Sequence, residues 1–304
     1  MRLANPRLVI ARVAALGVAV IACWSFAACA KNPAAHPAEA ATAPAPAKGA
    51  AEAGPLPPEV KPLYDKLDDL GKKVFLRIAT NESSVCGDAQ SLLNSVKSCR
   101  RSVAALRYVA KLIEQGYTDS EIGEKLANRF RSGARKIDVS EAPMKGNPGA
   151  KITLVEFADY ECPHCKRFQP VLHQILDEFR SDVKLYFKHY PLPQHNNARL
   201  AAEAAVAAQK QGKFWQFQDK LWEKSDELTP AEIEKAAKEV GLDVAKFRQD
   251  MASEPVKARV QKDRSDGAAA GIQATPTLYI NGREYTDGRD SDSLREWIKE
   301  AIAG

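Results

Sequence analysis

The strongest constraint on the fold of this chain is a pair of cysteines placed where a strand gives way to a helix. Residues Lys151 to Phe157 form an apolar run typical of a buried strand. Cys162-Pro163-His164-Cys165 follows five residues later and opens an apolar stripe with helical spacing. A second strand-like run, Val183 to Tyr190, comes after that helix. The order predicts a βαβ unit with parallel strands.

The position of Cys162 at the start of a helix gives it a specific chemistry. Unpaired amides and the helix dipole favour an anion there, and Pro163 costs nothing in a first turn. His164 can stabilise the thiolate further, so we expect a lowered pKa and an oxidising disulfide. Cys165, one turn along, is the expected resolving thiol. Two alternatives are weaker: a metal site needs two further ligands, and a purely structural disulfide in so short a loop is strained.

Residues from about 150 to 304 resemble the DsbA family. The resemblance rests on Val155-Glu156-Phe157 before the cysteines, on Lys188 within the second strand, and on Ala274-Thr275-Pro276-Thr277 before a later strand. It implies an α/β thioredoxin fold over residues 151–304, with a long helical insertion at about 196–271. Thr277 to Tyr285 has the form of a hairpin around Asn281-Gly282, and Asp290 to Ile302 that of a closing helix.

The resemblance also implies roles for residues away from the cysteines. Thr275-Pro276 matches a loop with a cis proline that pairs with an extended substrate peptide. Glu156 matches a buried acid beneath the cysteines, and Lys188 matches its partner on the next strand, so that the pair relays a proton for Cys165. The alternative for Glu156 and Lys188 is a structural ion pair. His173, His189 and His195 are expected to be surface or packing residues.

The first 58 residues differ in composition from the rest. Residues 1–30 combine arginines, a short apolar stretch and small residues, which predicts an export signal. Cleavage after Ala30 and lipidation of Cys29 are two routes that fit, and an uncleaved anchor is a third. Residues 31–58 are rich in Ala and Pro and predict a disordered tether.

Residues 59–135 carry helical apolar stripes and predict a small all-helical domain, with a capping box at Thr118 and Glu121. Residues 136–150 contain two prolines and two glycines and predict a linker. Cys86 and Cys99 lie between the first two long helices. In an oxidising compartment their pairing predicts a structural disulfide, with a second redox pair as the alternative.

These features together predict an exported thiol–disulfide oxidoreductase that introduces disulfides into reduced exported proteins. Its place would be the periplasm or cell envelope, with a lipid anchor as one option. The resemblance implies recycling by a quinone-coupled membrane oxidase of the DsbB or VKOR type, and no cofactor. The alternatives are a reductase or isomerase of the same fold and a non-catalytic binding or chaperone module. A net charge of +5 without a basic, aromatic-rich run argues against nucleic-acid binding.

Overall fold

The computed structural model describes residues 55–303. The predicted export signal, the lipidation candidate Cys29 and nearly all of the predicted tether fall outside these residues. Within them, a helical segment comes first and an α/β segment follows, in the predicted order.

The helical domain forms because each of its helices presents one apolar stripe to a shared core. Phe75, Leu106 and Ile122, from three different helices, are completely buried in it. The predicted capping box is present, with the Glu121 amide bonded to Thr118 and the Glu121 carboxylate bonded back. A π-helical turn, Ala127–Arg131, ends the domain. Its helices are α1 (Lys61–Lys66), α2 (Asp69–Asn81), α3 (Arg100–Glu114) and α4 (Asp119–Leu126).

A five-stranded mixed sheet organises the second segment. Its strands lie in the order β1-β3-β2-β4-β5, and the central pair, β2 and β3, is parallel as predicted. The strands are β1 (Met144–Gly146), β2 (Ile152–Ala158), β3 (Val183–His189), β4 (Thr277–Ile280) and β5 (Arg283–Glu284).

Helices cover both faces of this sheet. Those after the helical domain are α5 (Pro163–Glu178), α6 (Ala198–Lys210), α7 (Phe214–Glu223), α8 (Pro230–Glu239), α9 (Val244–Ala252), α10 (Glu254–Ala269) and α11 (Ser291–Ala303).

The alternation of side chains along β2 assigns its residues to two different cores. Leu154 packs with α5 and α11, in a cluster that contains Leu172 and Ile298. Val155 and Phe157 point the other way and pack with residues near the end of α10. Glu156 lies on the same face as Leu154, and this placement governs its role in the site. The insertion α6 to α10 confirms the predicted helical tract and builds a third, alanine-rich core.

The predicted linker 136–150 is an integral part of the sheet, and here the prediction was incomplete. Met144–Gly146 pairs antiparallel with β3, and the Phe187 amide donates to the Pro143 carbonyl. Gly146 has a positive φ of 102°, and a Cβ there would come within 2.7 Å of the Val183 carbonyl. Three residues are too few to show a strand periodicity in the sequence.

Among residues 55–303, no helix has the length and apolarity needed to cross a bilayer.

The structure joins Cys86 and Cys99 in a disulfide, as predicted, with their Cα atoms 6.1 Å apart. The two cysteines are 13 positions apart in the sequence, and Cys99 is the N-cap of α3. The bond restricts the unfolded chain, so the double variant Cys86→Ala/Cys99→Ala should lose about 3 kcal/mol of unfolding free energy. Urea unfolding monitored by circular dichroism measures this loss. An unchanged free energy of unfolding would contradict this account, in which the bond restricts the unfolded chain.

Candidate functional site

The two cysteines of the motif are free, and they occupy different environments. Cys162 is the N-cap of α5, and Cys165 lies one turn inside the helix. Cys165 is fully buried, whereas Cys162 is 4% exposed and lines a groove at the protein surface. The arrangement makes Cys162 the sulfur that a partner thiol can reach.

The surroundings of the two thiols shift their pKa values in opposite directions. The pKa of Cys162 is lowered to about 5, chiefly because the Cys165 thiol hydrogen-bonds to its sulfur. Burial opposes this shift, while the backbone amides of His164 and Cys165 reinforce it. Burial raises the pKa of Cys165 well above its ordinary value. At neutral pH the reduced pair therefore holds one thiolate, at Cys162, and one thiol, at Cys165.

The Thr275–Pro276 peptide bond is cis, as the resemblance implied, and its loop lies against Cys162. The protonated Cys162 thiol donates to the Thr275 carbonyl oxygen at 3.4 Å. This loop and the start of α5 form two walls of a groove of about 510 Å³, in which Cys162 lies. The remaining walls come from the loop after β3 and from Arg264 of α10.

Glu156 is completely buried beneath the cysteines, where its carboxyl has one polar contact. Gln169 of α5 donates from Nε2 to Glu156 Oε1 at 2.8 Å, and the same nitrogen lies 3.4 Å from the Cys165 carbonyl. Burial raises the pKa of Glu156 to about 8, with the Gln169 hydrogen bond acting in the opposite direction. Glu156 is thus a protonated acid at neutral pH, and Gln169 connects it to the helix turn that carries Cys165.

The expected pairing of Lys188 with Glu156 is wrong. In the register of β2 and β3, Lys188 lies opposite Phe157, so its side chain projects from the other face of the sheet. Its ammonium group binds Asp266 at 2.5 Å and Asp263 at 3.1 Å, and it donates to the Asp138 carbonyl at 2.6 Å. Lys188 therefore joins β3 to α10 and to the segment before β1, and Glu156 has Gln169 as its partner.

His164 is exposed between the cysteines, and its orientation is set from within α5. Arg167 lies three residues along, and its Nη2 is 3.0 Å from His164 Nδ1. A guanidinium only donates, so Nδ1 accepts this bond and Nε2 carries the proton of the neutral ring. Pro163 occupies the first turn, as predicted.

Three residues at the groove, Asp159, His195 and Arg264, were not recognised from the sequence. Asp159 is 1% exposed and accepts hydrogen bonds from the amides of Glu161 and Leu192 and from the His195 ring. It thereby joins the loop before Cys162 to the loop after β3. His195, expected to be a surface or packing residue, lines the groove together with Cys162.

Sequence spacing could not have found the contacts of Asp159 with Leu192 and His195, because they join residues 33 and 36 positions apart. Arg264 also lines the groove, and no carboxylate among the described residues forms an ion pair with it. Within residues 55–303, no three His, Cys, Asp or Glu side chains converge as metal ligands would.

Comparison with known proteins identifies the family. A family model described as Thioredoxin matches residues 139–300, more than half of the chain. The chain belongs to this thioredoxin family. The crystal structure of oxidised BdbD from Bacillus subtilis is similar, with 30% identity and a TM-score of 0.52; the match covers 56% of this chain and 98% of that one. The predicted DsbA-like thioredoxin fold is confirmed.

Curated relatives carry a different kind of name. Proteins named Na(+)/H(+) antiporter NhaA from Mycolicibacterium gilvum and Salinispora tropica are 36% and 33% identical over 163 and 168 residues. These matches cover 53% and 55% of this chain but only 26% of each relative. The chain thus spans about a quarter of the length of the curated relatives that it matches. Family, fold and free cysteine pair together support a redox enzyme of the DsbA type.

The two thiol environments predict a specific titration. In the reduced protein, thiolate absorbance at 240 nm should rise with a midpoint near pH 5 and vanish in Cys162→Ser. The pKa of Cys162 is lower in the folded protein than in the unfolded chain. The Cys162 thiolate therefore stabilises the folded state fully at a pH above the unfolded pKa, and this stabilisation is lost as the pH falls through about 5.

Two variants of Cys165 separate the causes of this low pKa. Cys165→Ala removes the donor to the Cys162 sulfur and should move the midpoint toward the ordinary cysteine value. Cys165→Ser keeps a donor and should hold the midpoint lower than Cys165→Ala does. A midpoint near 8.5 in the wild type would contradict this account.

Proposed function

We propose that this chain is an exported thiol–disulfide oxidase that transfers the Cys162–Cys165 disulfide to reduced client proteins. The observation that carries the proposal is the asymmetry of the pair. The thiolate at Cys162 faces the groove, while Cys165 is a buried thiol. A stabilised thiolate is a good leaving group, and its stabilisation favours the reduced pair over the disulfide.

The reaction begins from the oxidised pair. A client thiolate attacks Cys162 Sγ, a client–Cys162 bond forms, and the Cys162–Cys165 bond breaks. The Cys165 sulfur takes up a proton as it leaves, and we assign the donor of this proton to the carboxyl of Glu156, which burial keeps protonated at neutral pH. Gln169 acts as a positioning residue, since it holds the Glu156 carboxyl beside the Cys165 turn.

The second half of the reaction releases the oxidised client. A second client thiolate attacks the client sulfur of the mixed disulfide, and Cys162 leaves as a thiolate. Counted from its two thiols, the client has then lost two electrons to the cysteine pair and two protons to solvent. The pair is reduced, with Cys162 as a thiolate and Cys165 as a thiol, and Glu156 regains its proton from solvent. An extended client backbone would pair with the Thr275–Pro276 loop, of which Thr275 lines the groove. Reoxidation of the pair requires an electron acceptor, for which we propose a quinone-coupled membrane oxidase of the DsbB or VKOR type.

The cellular place follows from the same proposal. Disulfides persist outside the cytoplasm, so the Cys86–Cys99 bond and the arginine-flanked apolar segment at the N-terminus favour the periplasm or cell envelope. Mass spectrometry of the mature N-terminus distinguishes a lipidated Cys29 from cleavage after Ala30.

Refolding of reduced ribonuclease tests the proposal. The oxidised wild type should speed the return of ribonuclease activity, and Cys162→Ala should give the uncatalysed rate because the attacked sulfur is gone. Cys165→Ala lacks the disulfide that is transferred and should also give the uncatalysed rate. Mixed instead with oxidised ribonuclease, its Cys162 thiolate should attack a client disulfide and accumulate a mixed disulfide, visible on a non-reducing gel.

The double variant Cys86→Ala/Cys99→Ala is the matched control, because it removes two cysteines and leaves the reactive pair. It should keep the acceleration. Equal rates for wild type and Cys162→Ala would contradict catalysis and favour a binding or chaperone module. Acceleration only with scrambled, already oxidised ribonuclease would favour an isomerase.

A further inference from the structure

A second cavity lies between the helical domain and the thioredoxin domain. It encloses about 440 Å³, a volume within the range of small-molecule sites. One wall comes from α3 and the π-helical turn, and the other from the hairpin of β4 and β5 and from α11. None of its lining residues belongs to the groove around Cys162, so the redox site does not account for it.

Two arginines in this cavity converge on one backbone oxygen. Arg101 donates to the Phe130 carbonyl at 2.6 Å, and Arg283 donates to the same oxygen at 3.0 Å. Neither guanidinium forms an ion pair with a carboxylate of the described residues. Burial lowers the pKa of Arg101, and the charge of Arg283 lowers it further. Two like charges held together by a shared neutral acceptor create a region that favours an anion.

Arg129 provides an independent indication in the same cavity. Its side chain is 4% exposed, and its Nε is buried without a hydrogen-bond partner among the described residues. Its other nitrogens bind Asp287 and Glu300, both at 2.5 Å. A buried donor without a partner costs free energy, so a ligand acceptor that reached Arg129 Nε would remove this cost.

The rest of the lining combines positive charge with apolar surface. Three carboxylates line the cavity: Glu296 and Glu300 are engaged by Lys111 and Arg129, and Glu59 forms no ion pair among the described residues. The cationic side chains of the lining still outnumber these carboxylates. Val103 and Ala104 of α3 and Trp297 and Ala301 of α11 supply apolar surface. The cationic side chains that line the cavity are Arg100, Arg101, Arg107, Arg129, Arg283 and Lys299.

We propose that this cavity binds an amphiphilic carboxylate, a molecule with one anionic head and an apolar chain of fatty-acid type. The head would lie between Arg101 and Arg283, whose forked donors match the two oxygens of a carboxylate. The chain would cover Val103, Ala104, Trp297 and Ala301. The ligand would bridge the two domains, so its binding stabilises their packing.

Calorimetric titration of the full-length protein with dodecanoate, below its micelle concentration, tests the proposal. Dodecanoate should bind with a stoichiometry of one. Arg101→Gln and Arg283→Gln should each weaken binding about tenfold, because each removes a charged hydrogen-bond donor. Arg248→Gln is the matched control; Arg248 pairs with Glu234 in the helical insertion and should leave binding unchanged.

Two further probes separate the head from the chain. Dodecyltrimethylammonium keeps the chain and reverses the charge, and acetate keeps the head without the chain, so neither should bind in the same concentration range. Ala104→Phe fills the apolar wall without changing a charge and should abolish dodecanoate binding while the circular dichroism spectrum is retained. Equal binding of dodecanoate and dodecyltrimethylammonium would overturn the proposal, as would equal weakening in Arg248→Gln.

Discussion

The site depends on the hydrogen bonds that converge on the Cys162 sulfur at the start of α5. The Cys165 thiol and the first amides of the helix favour a thiolate there, although the residue is almost fully buried. This arrangement needs β2 to end just before the helix and needs the Thr275–Pro276 loop to cover the sulfur from the other side. Pro163 and Asp159 serve the same end, one by starting the helix and the other by fixing the loop before it.

The strand beneath the cysteines separates two electrostatic environments. On the face towards α5, Glu156 is neutral and has a neutral amide as its partner. On the opposite face, Lys188 is held by Asp263 and Asp266. A positive charge next to Glu156 would favour the ionised carboxylate. Because Lys188 lies on the far face, Glu156 remains a carboxylic acid that can donate a proton at neutral pH. The lysine instead fixes the helical insertion to the sheet.

Much of this was predictable from local patterns. The βαβ unit, the hairpin, the helical domain and the Cys86–Cys99 bond are present as predicted. The cis Thr275–Pro276 bond is also present, but it was implied by the resemblance to the DsbA family and not by a local pattern. The error on Lys188 has a definite cause: its face depends on the register between β2 and β3, and a shift of one residue would reverse it. Periodicity within one strand does not contain that information. The three-residue β1 was too short to show any period.

The groove and the interdomain cavity were beyond sequence reasoning for a related reason. His195 and Arg264 reach the groove from a loop and a helix distant in sequence, and Arg101 and Arg283 meet at one carbonyl across 182 residues. Such contacts exist only once the domains have packed. These contacts form the groove and the interdomain cavity, neither of which the cysteine motif alone would indicate.

The central claim is that a stabilised Cys162 thiolate makes the pair an oxidant, and its reduction potential tests this most directly. Equilibration in glutathione buffers at neutral pH, with the two redox states separated by thiol alkylation, gives the value. We predict a potential near the strongly oxidising value of about −120 mV that is typical of DsbA. A potential near thioredoxin's, about −270 mV, would contradict the oxidase function.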